Sequence, residues 1–154
     1  MTKILVTGSD GQLGQCFKLV ANEFPKHKLL FVNQAEVDIN KTKTLSNKYE
    51  KIPFDLIINC AGYTNVDKAE NEKSDAKQIN FQGVKSLVDF AEEKMIKIIH
   101  FSTDFVFDGK LSERSYNEMD TPNPINVYGK TKLLGENAVK NAKCPHTTFR
   151  ISWL

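Results

Sequence analysis

Tyr128 and Lys132 stand four apart in the run Tyr128-Gly129-Lys130-Thr131-Lys132. On a helix that spacing puts both side chains on one face. A free phenol, with a pKa of about 10, is a weak acid at neutral pH. A neighbouring ammonium lowers that pKa and eases proton transfer to a carbonyl oxygen. In a chain with four tyrosines and many lysines the pair also arises by chance as an amphipathic surface pair, so context decides. Ser102-Thr103-Asp104 supplies some, because a hydroxyl at the carboxyl end of a strand can bind the same carbonyl oxygen; the alternative for both hydroxyls is a turn or helix cap. The third constellation is Gly8-Ser9-Asp10-Gly11-Gln12-Leu13-Gly14. Its glycines permit a tight turn, close approach of backbone N–H groups to a pyrophosphate, and tight helix–strand packing, while the helix start adds partial positive charge. Glycine abundance alone produces three glycines at these offsets roughly 0.02 times per chain. The alternative is a tight turn that holds no ligand.

The elements that must position these groups alternate. Ile4-Leu5-Val6, Leu29-Leu30-Phe31-Val32, Leu56-Ile57-Ile58, Ile98-Ile99-His100-Phe101 and Thr148-Phe149-Arg150-Ile151 read as five short strands. Helical spacing links Leu13, Phe17, Val20 and Phe24, and again Val127, Leu134 and Ala138. A longer helix is predicted over about 74–95, with Ala76, Ile79, Gly83, Val84, Leu87 and Ala91 on one face. Strands that are continuous apolar runs are buried on both faces, and with helices between them they form a parallel sheet. From Thr103 to about Asn126 no period is visible, and loops that long are functional or disordered.

The chain has 154 residues, 40% hydrophobic and 26% charged, which suits one globular domain. Its 21 Lys and Arg against 19 Asp and Glu are interspersed, so nucleic-acid binding has no support. No apolar run is long enough to cross a bilayer, and the N-terminus lacks signal-peptide anatomy, so no membrane association and a cytoplasmic location are expected. Cys16, Cys60 and Cys144 are widely spaced, as are His27, His100 and His146, which argues against a disulfide framework and against any metal site.

In order and wording these motifs resemble the extended short-chain dehydrogenase/reductases and, more narrowly, the dTDP-4-dehydrorhamnose reductase family. The resemblance extends to Arg150-Ile151-Ser152-Trp153, and its narrow part lies in Asn59-Cys60-Ala61-Gly62-Tyr63-Thr64 with Val66-Asp67-Lys68-Ala69-Glu70 and in Ser102-Thr103-Asp104-Phe105-Val106-Phe107-Asp108-Gly109. The fold it implies is a Rossmann-type doubly wound parallel sheet of strand order 3-2-1-4-5. Residues 1–154 would be an NAD(P)-binding domain incomplete at its C-terminal edge, since family members continue into a part that completes the sheet and builds most of the substrate pocket. The implied activity is NADPH- or NADH-dependent reduction of the 4-keto group of a nucleotide-linked 6-deoxy-hexose.

The resemblance assigns catalysis to Thr103, Tyr128 and Lys132, with Lys132 also on the nicotinamide ribose. Gly8, Gly11, Gln12, Leu13 and Gly14 would hold the pyrophosphate, Asp38 and Ile39 would lie by the adenine, and Ala61, Gly62, Tyr63 and Ser102 along the cofactor, where Tyr128 and Lys132 also reach. Val66, Asn126 and Trp153, with Thr103 and Tyr128, would approach the sugar nucleotide. Asp67 and Glu70 read as a solvated helix start, where carboxylates suit the helix dipole. The second strand ends at Asn33-Gln34, without the acidic residue that binds ribose hydroxyls and without an arginine for a 2′-phosphate, so the choice between NADH and NADPH stays open. Two rivals also stay open: a nucleotide-sugar epimerase or dehydratase of the same superfamily, and a non-catalytic dinucleotide-binding regulatory subunit. Assembly as a homodimer is left open as well.

Overall fold

The computed structural model describes residues 1–152, those at 42–44 and 46 by their backbone only; Trp153 lies outside the described residues. Five strands, β1 (Thr2–Thr7), β2 (His27–Val32), β3 (Leu56–Asn59), β4 (Lys97–Thr103) and β5 (His146–Ile151), pair in parallel throughout. Among the described residues six α-helices connect or flank them: α1 (Gln12–Val20), α2 (Thr42–Tyr49), α3 (Val66–Ala69), α4 (Lys73–Lys77), α5 (Val84–Glu93) and α6 (Val127–Lys140). The doubly wound parallel sheet is therefore the one the apolar runs imply. No helix among the described residues is long and apolar enough to cross a membrane.

The strand order differs from the expectation of 3-2-1-4-5: it is β2-β1-β3-β4-β5. Burial explains the difference. Ile57, Ile58 and Asn59 of β3 are buried and sit between β1 and β4, whereas β2 exposes His27 and Lys28 and belongs at an edge. After β2 the chain folds into local turns, with Val37 N bonded to Asn33 O and Lys41 N to Asp38 O, so no further strand extends that edge. Val37 and Ile39 instead turn inward and join the core. The chain then returns across β1, and this order puts the topological switch point between β1 and β3, where ligand crevices of open parallel sheets lie.

Two cores flank the sheet. Leu5, Ile57 and Ile98 pack under α2, α5 and α6 with Leu45, Leu87, Ala91 and Val139, all at most 1% exposed. On the opposite face Ile4, Val6 and Ile58 lie beneath Phe17 of α1. The helix predicted over 74–95 is divided: α4 passes into a π-helical stretch, Gln78–Gly83, before α5 begins. Such wide turns concentrate at functional sites. The unpatterned region after β4 is ordered by side chains. A 3-10 turn, Asp104–Val106, opens it, and Asp108 then accepts from Tyr116 Oη at 2.6 Å and from Asn123 Nδ2 at 3.0 Å. Arg114 and Asp120 form a two-bond pair at 2.8 and 2.7 Å.

Candidate functional site

The glycine turn joins β1 to α1, and its three glycines have three different surroundings. Gly8 has φ +68°, and a Cβ there would stand 2.4 Å from Ala61 N, so the turns after β1 and β3 touch. A Cβ on Gly14 would stand 2.4 Å from Gly8 O, which fixes how closely α1 packs on the turn. A Cβ on Gly11 would meet only Gly8 O, at 3.3 Å; its outer side is open. Gly11 caps α1 without a side-chain bond, and the first turn of α1 contains no acidic residue. The amides at the start of α1, including Gln12 and Leu13, therefore remain available to an anion. Beside them the glycine turn, the segment from Val37 to Asn40, and Cys60-Ala61-Gly62 wall a crevice of about 280 Å³.

At its outer end this crevice opens into a shallower one over Asp10, Asn33, Gln34 and Asp38. Asn33 and Glu36 cap each other there: Asn33 N donates to Glu36 Oε2 at 3.1 Å and Glu36 N to Asn33 Oδ1 at 3.0 Å. The Asn33 side-chain oxygen is thus occupied by the turn it closes. Ile39 is buried against Gly83, where a Cβ would come within 2.7 Å of Ile39 Cδ1.

At the carboxyl end of β4 the structure brings Thr103, Tyr128 and Lys132 together, all at most 9% exposed. Asn126 Oδ1 caps α6 by accepting from Gly129 N at 2.7 Å. Thr103 Oγ1 caps the 3-10 turn, accepting from Phe105 N at 3.2 Å, and the Phe105 ring stands edge-on to Tyr128 at 5.7 Å. Burial pushes the Tyr128 phenol above its ordinary value; the Thr103 hydroxyl draws it partly back and the Asp104 carboxylate adds to the rise. The expected lowering by Lys132 is absent from this structure. Its Nζ donates instead to Phe101 O at 2.6 Å, and burial holds the ammonium at about 8, against a smaller upward pull from Glu136. Glu136 is itself held by Arg150 of β5 through bonds of 2.9 and 2.8 Å.

Three residues that hold the site were not singled out by sequence reasoning. Asn80, in the π turn, donates to Tyr63 O at 3.0 Å and to Thr131 Oγ1 at 3.1 Å, and accepts from Tyr63 N at 2.9 Å. Its signal was an amide on the apolar stripe of the 74–95 helix, four residues after Ala76 and four before Val84. Asn59 and His100 sit beside Thr7 in register across β3, β4 and β1. Asn59 Oδ1 accepts from Thr7 Oγ1 at 2.7 Å and from Ala61 N at 3.1 Å, and Asn59 Nδ2 stands 3.1 Å from His100 Nδ1. Burial, with the nearby Lys132 charge, keeps His100 neutral, well below the ordinary histidine range.

Of the other residues the resemblance selected, Ser102 is 3% exposed with no protein partner for its hydroxyl among the described residues. Val66 and Tyr63 pack on the cluster that contains Tyr128. Asp67 lies in the first turn of α3, as a solvated helix start requires. Glu70 is exposed, as read, but stands at the end of α3 and not at a helix start, and its Oε1 accepts from Val127 N at 2.8 Å, the start of α6. No group of three or more His, Cys, Asp or Glu suited to a metal ion occurs among the described residues.

Sheet, glycine turn and buried Tyr/Lys pair define the class: a Rossmann-type domain of the short-chain dehydrogenase/reductase kind. The model of one family, described as the RmlD substrate binding domain, matches residues 1–154, and the chain belongs to that family. It is 38% identical over 152 residues to the dTDP-4-dehydrorhamnose reductase of Sinorhizobium fredii, covering 99% of this chain and 50% of that protein. It is likewise 38% identical to the Salmonella typhimurium protein of the same name, covering 98% of this chain and 51% of the relative. The solved structure of dTDP-4-dehydrorhamnose reductase from Bacillus anthracis, in complex with NADP, superposes with a TM-score of 0.93 at 32% identity, over 99% of this chain and 54% of that one. The chain thus spans about half the length of the relatives it matches.

Proposed function

We propose that this chain is the cofactor-binding half of an NADPH- or NADH-dependent reductase acting on the 4-keto group of a nucleotide-linked 6-deoxy-hexose, of the dTDP-4-dehydrorhamnose to dTDP-L-rhamnose type. The observation that carries the reading is the burial of Thr103, Tyr128 and Lys132 together at the carboxyl end of β4. The crevice suits a dinucleotide: the start of α1 is free of side-chain caps, Gly11 is open on its outer side, and the Ser102 hydroxyl has no protein partner among the described residues. Gly8, Gly11, Gln12, Leu13 and Gly14 would hold the pyrophosphate, with Asp38 and Ile39 toward the adenine and Ala61, Gly62, Tyr63 and Ser102 along the cofactor. Val66, Asn126 and Trp153 would face the sugar nucleotide. A cytoplasmic location belongs to the same reading, in keeping with three free thiols.

When bound, a nicotinamide supplies the hydride that adds to C4 of the ketone. The residues of the chain manage the oxygen. Thr103 orients the carbonyl by donating its hydroxyl proton in a hydrogen bond, and Tyr128 delivers the proton that the oxygen takes up. A phenol raised above its ordinary value is fully protonated at neutral pH, which is the state a proton donor needs. Lys132, mostly charged at pH 7 with its pKa at about 8, would leave Phe101 O for the ribose and offset the negative charge developing on the phenol. Calorimetric titration of the chain with NADPH and with NADH tests the reading. Saturable binding of at least one is expected, and failure of both to bind would remove its basis.

A further inference from the structure

Tyr128 occupies the second position of α6, so its phenol is only as well placed as the first turn of that helix. The first amides of a helix have no partner within it, and without caps the first turn frays. Here two of them are taken. Asn126 Oδ1 accepts from Gly129 N at 2.7 Å, a local cap. Glu70 Oε1 accepts from Val127 N at 2.8 Å, and Glu70 is 57 residues away in sequence at the end of α3. The two bonded amides stand immediately before and after Tyr128. The residue preceding Glu70, Ala69, is fully buried in one cluster with Tyr128. On the opposite side the turn has no slack, because a Cβ on Gly129 would stand 2.2 Å from Phe105 O.

We propose that Glu70 is a positioning residue for Tyr128: its carboxylate ties the end of α3 to the first amide of α6 and so fixes the depth at which the phenol sits beside Thr103. Glu70 bonds a main-chain amide rather than the phenol, so it acts through α6. Its charge also lies at the positive end of the helix dipole, where a carboxylate is favoured. The same bond accounts for a carboxylate in the Val66-Asp67-Lys68-Ala69-Glu70 run that catalysis leaves without a task. The inference takes its purpose from the reductase reading. Its test reads the phenol's position without substrate or cofactor, so the two can fail separately.

The test is carbon NMR of the chain labelled at tyrosine Cζ, with the Tyr128 signal assigned by its loss in Tyr128→Phe and folding checked by circular dichroism. Asp104 and Thr103 are the groups that act on the phenol, and both are unchanged in every variant. In the wild type at pH 10, Tyr128 should be mostly phenol. In Glu70→Ala the phenol should loosen toward solvent and its phenolate fraction rise to about one half, the value of an ordinary tyrosine at that pH. Glu70→Gln keeps an acceptor for Val127 N and should match the wild type. Val127→Pro removes the donor from the other side, at a helix position that accepts proline, after an Asn126 already extended at φ −107°, ψ 166°. It should reproduce Glu70→Ala, and the double variant should add nothing. If Glu70→Ala fails to fold, Val127→Pro carries the same test. An unchanged Tyr128 titration in the folded variant that lacks the bond, or an equal shift in Glu70→Gln, would overturn the proposal.

Discussion

The Lys132 ammonium donates to the main-chain oxygen of Phe101 at 2.6 Å, one helical turn from the phenol it is expected to assist. A buried ammonium is costly, and the cost appears in its pKa of about 8 against an ordinary 10.5. Between those values the unfolded chain binds a proton that the folded chain has released, so this group makes stability rise with pH across that window. At pH 7 both states are protonated and the folded state carries the full penalty, on the order of 3 kcal/mol. Lys132→Met should therefore be more stable than the wild type in urea at pH 7, with the difference shrinking toward pH 10. A difference independent of pH would contradict this.

Gly11 and Gly14 should respond differently to valine. At Gly11 the first added carbon meets only Gly8 O, at 3.3 Å, so Gly11→Val should fold while losing NADPH binding in calorimetry. At Gly14 it meets Gly8 O at 2.4 Å and Ser9 Cα at 2.6 Å, so Gly14→Val should lower stability by about 1–3 kcal/mol, as overpacking does. Wild-type affinity in Gly11→Val would remove the phosphate cradle from the reading.

In the protein at the full length of its relatives, Tyr128→Phe should reduce turnover by about 10² to 10⁴, the usual size of a general-acid contribution. Cofactor affinity should change little. Lys132→Met should impair both if, as proposed, one side chain serves the ribose and the phenol. Near-normal turnover of Tyr128→Phe in a stopped-flow assay of NADPH oxidation would reassign the acid.

Asn59→Leu would leave the buried Thr7 hydroxyl and the half-buried Ala61 amide without their acceptor. A loss of about 2–4 kcal/mol is expected, since each stranded group costs about 1–3. NADPH affinity should also fall, because Ala61 forms a wall of the crevice. Combining the change with Thr7→Val should be less than additive in denaturant titrations, as residues sharing a bond are. Strict additivity would mean that the bond between them is energetically idle.

The features readable from the sequence were those written in adjacent residues. Continuous apolar runs marked the strands, and glycine spacing marked the turn after β1. Strand order was less accessible, because Leu56-Ile57-Ile58 and Leu29-Leu30-Phe31-Val32 look alike until one knows which is covered on both faces. The π turn was invisible to a 3.6-residue period, and with it the role of Asn80, whose partners lie 17 and 51 residues away. The same distance hid Glu70. The rise in the Tyr128 pKa was missed for another reason: sequence places Lys132 beside the phenol but does not reveal how dry the site is.

A cradle made of main-chain amides has no side chain to mutate away. On the proposed reading the phosphates would be held by peptide groups of the turn, which Gly8 and Gly14 keep in place, and not by the side chains of Asp10 and Gln12. On the same reading, discrimination between nucleotides would fall to a separate stretch of chain, the rim at Asn33 and Gln34. Holding and choosing would then be encoded in different segments. Rewriting the rim should then alter the preferred nucleotide while leaving the grip on the part that all of them share untouched.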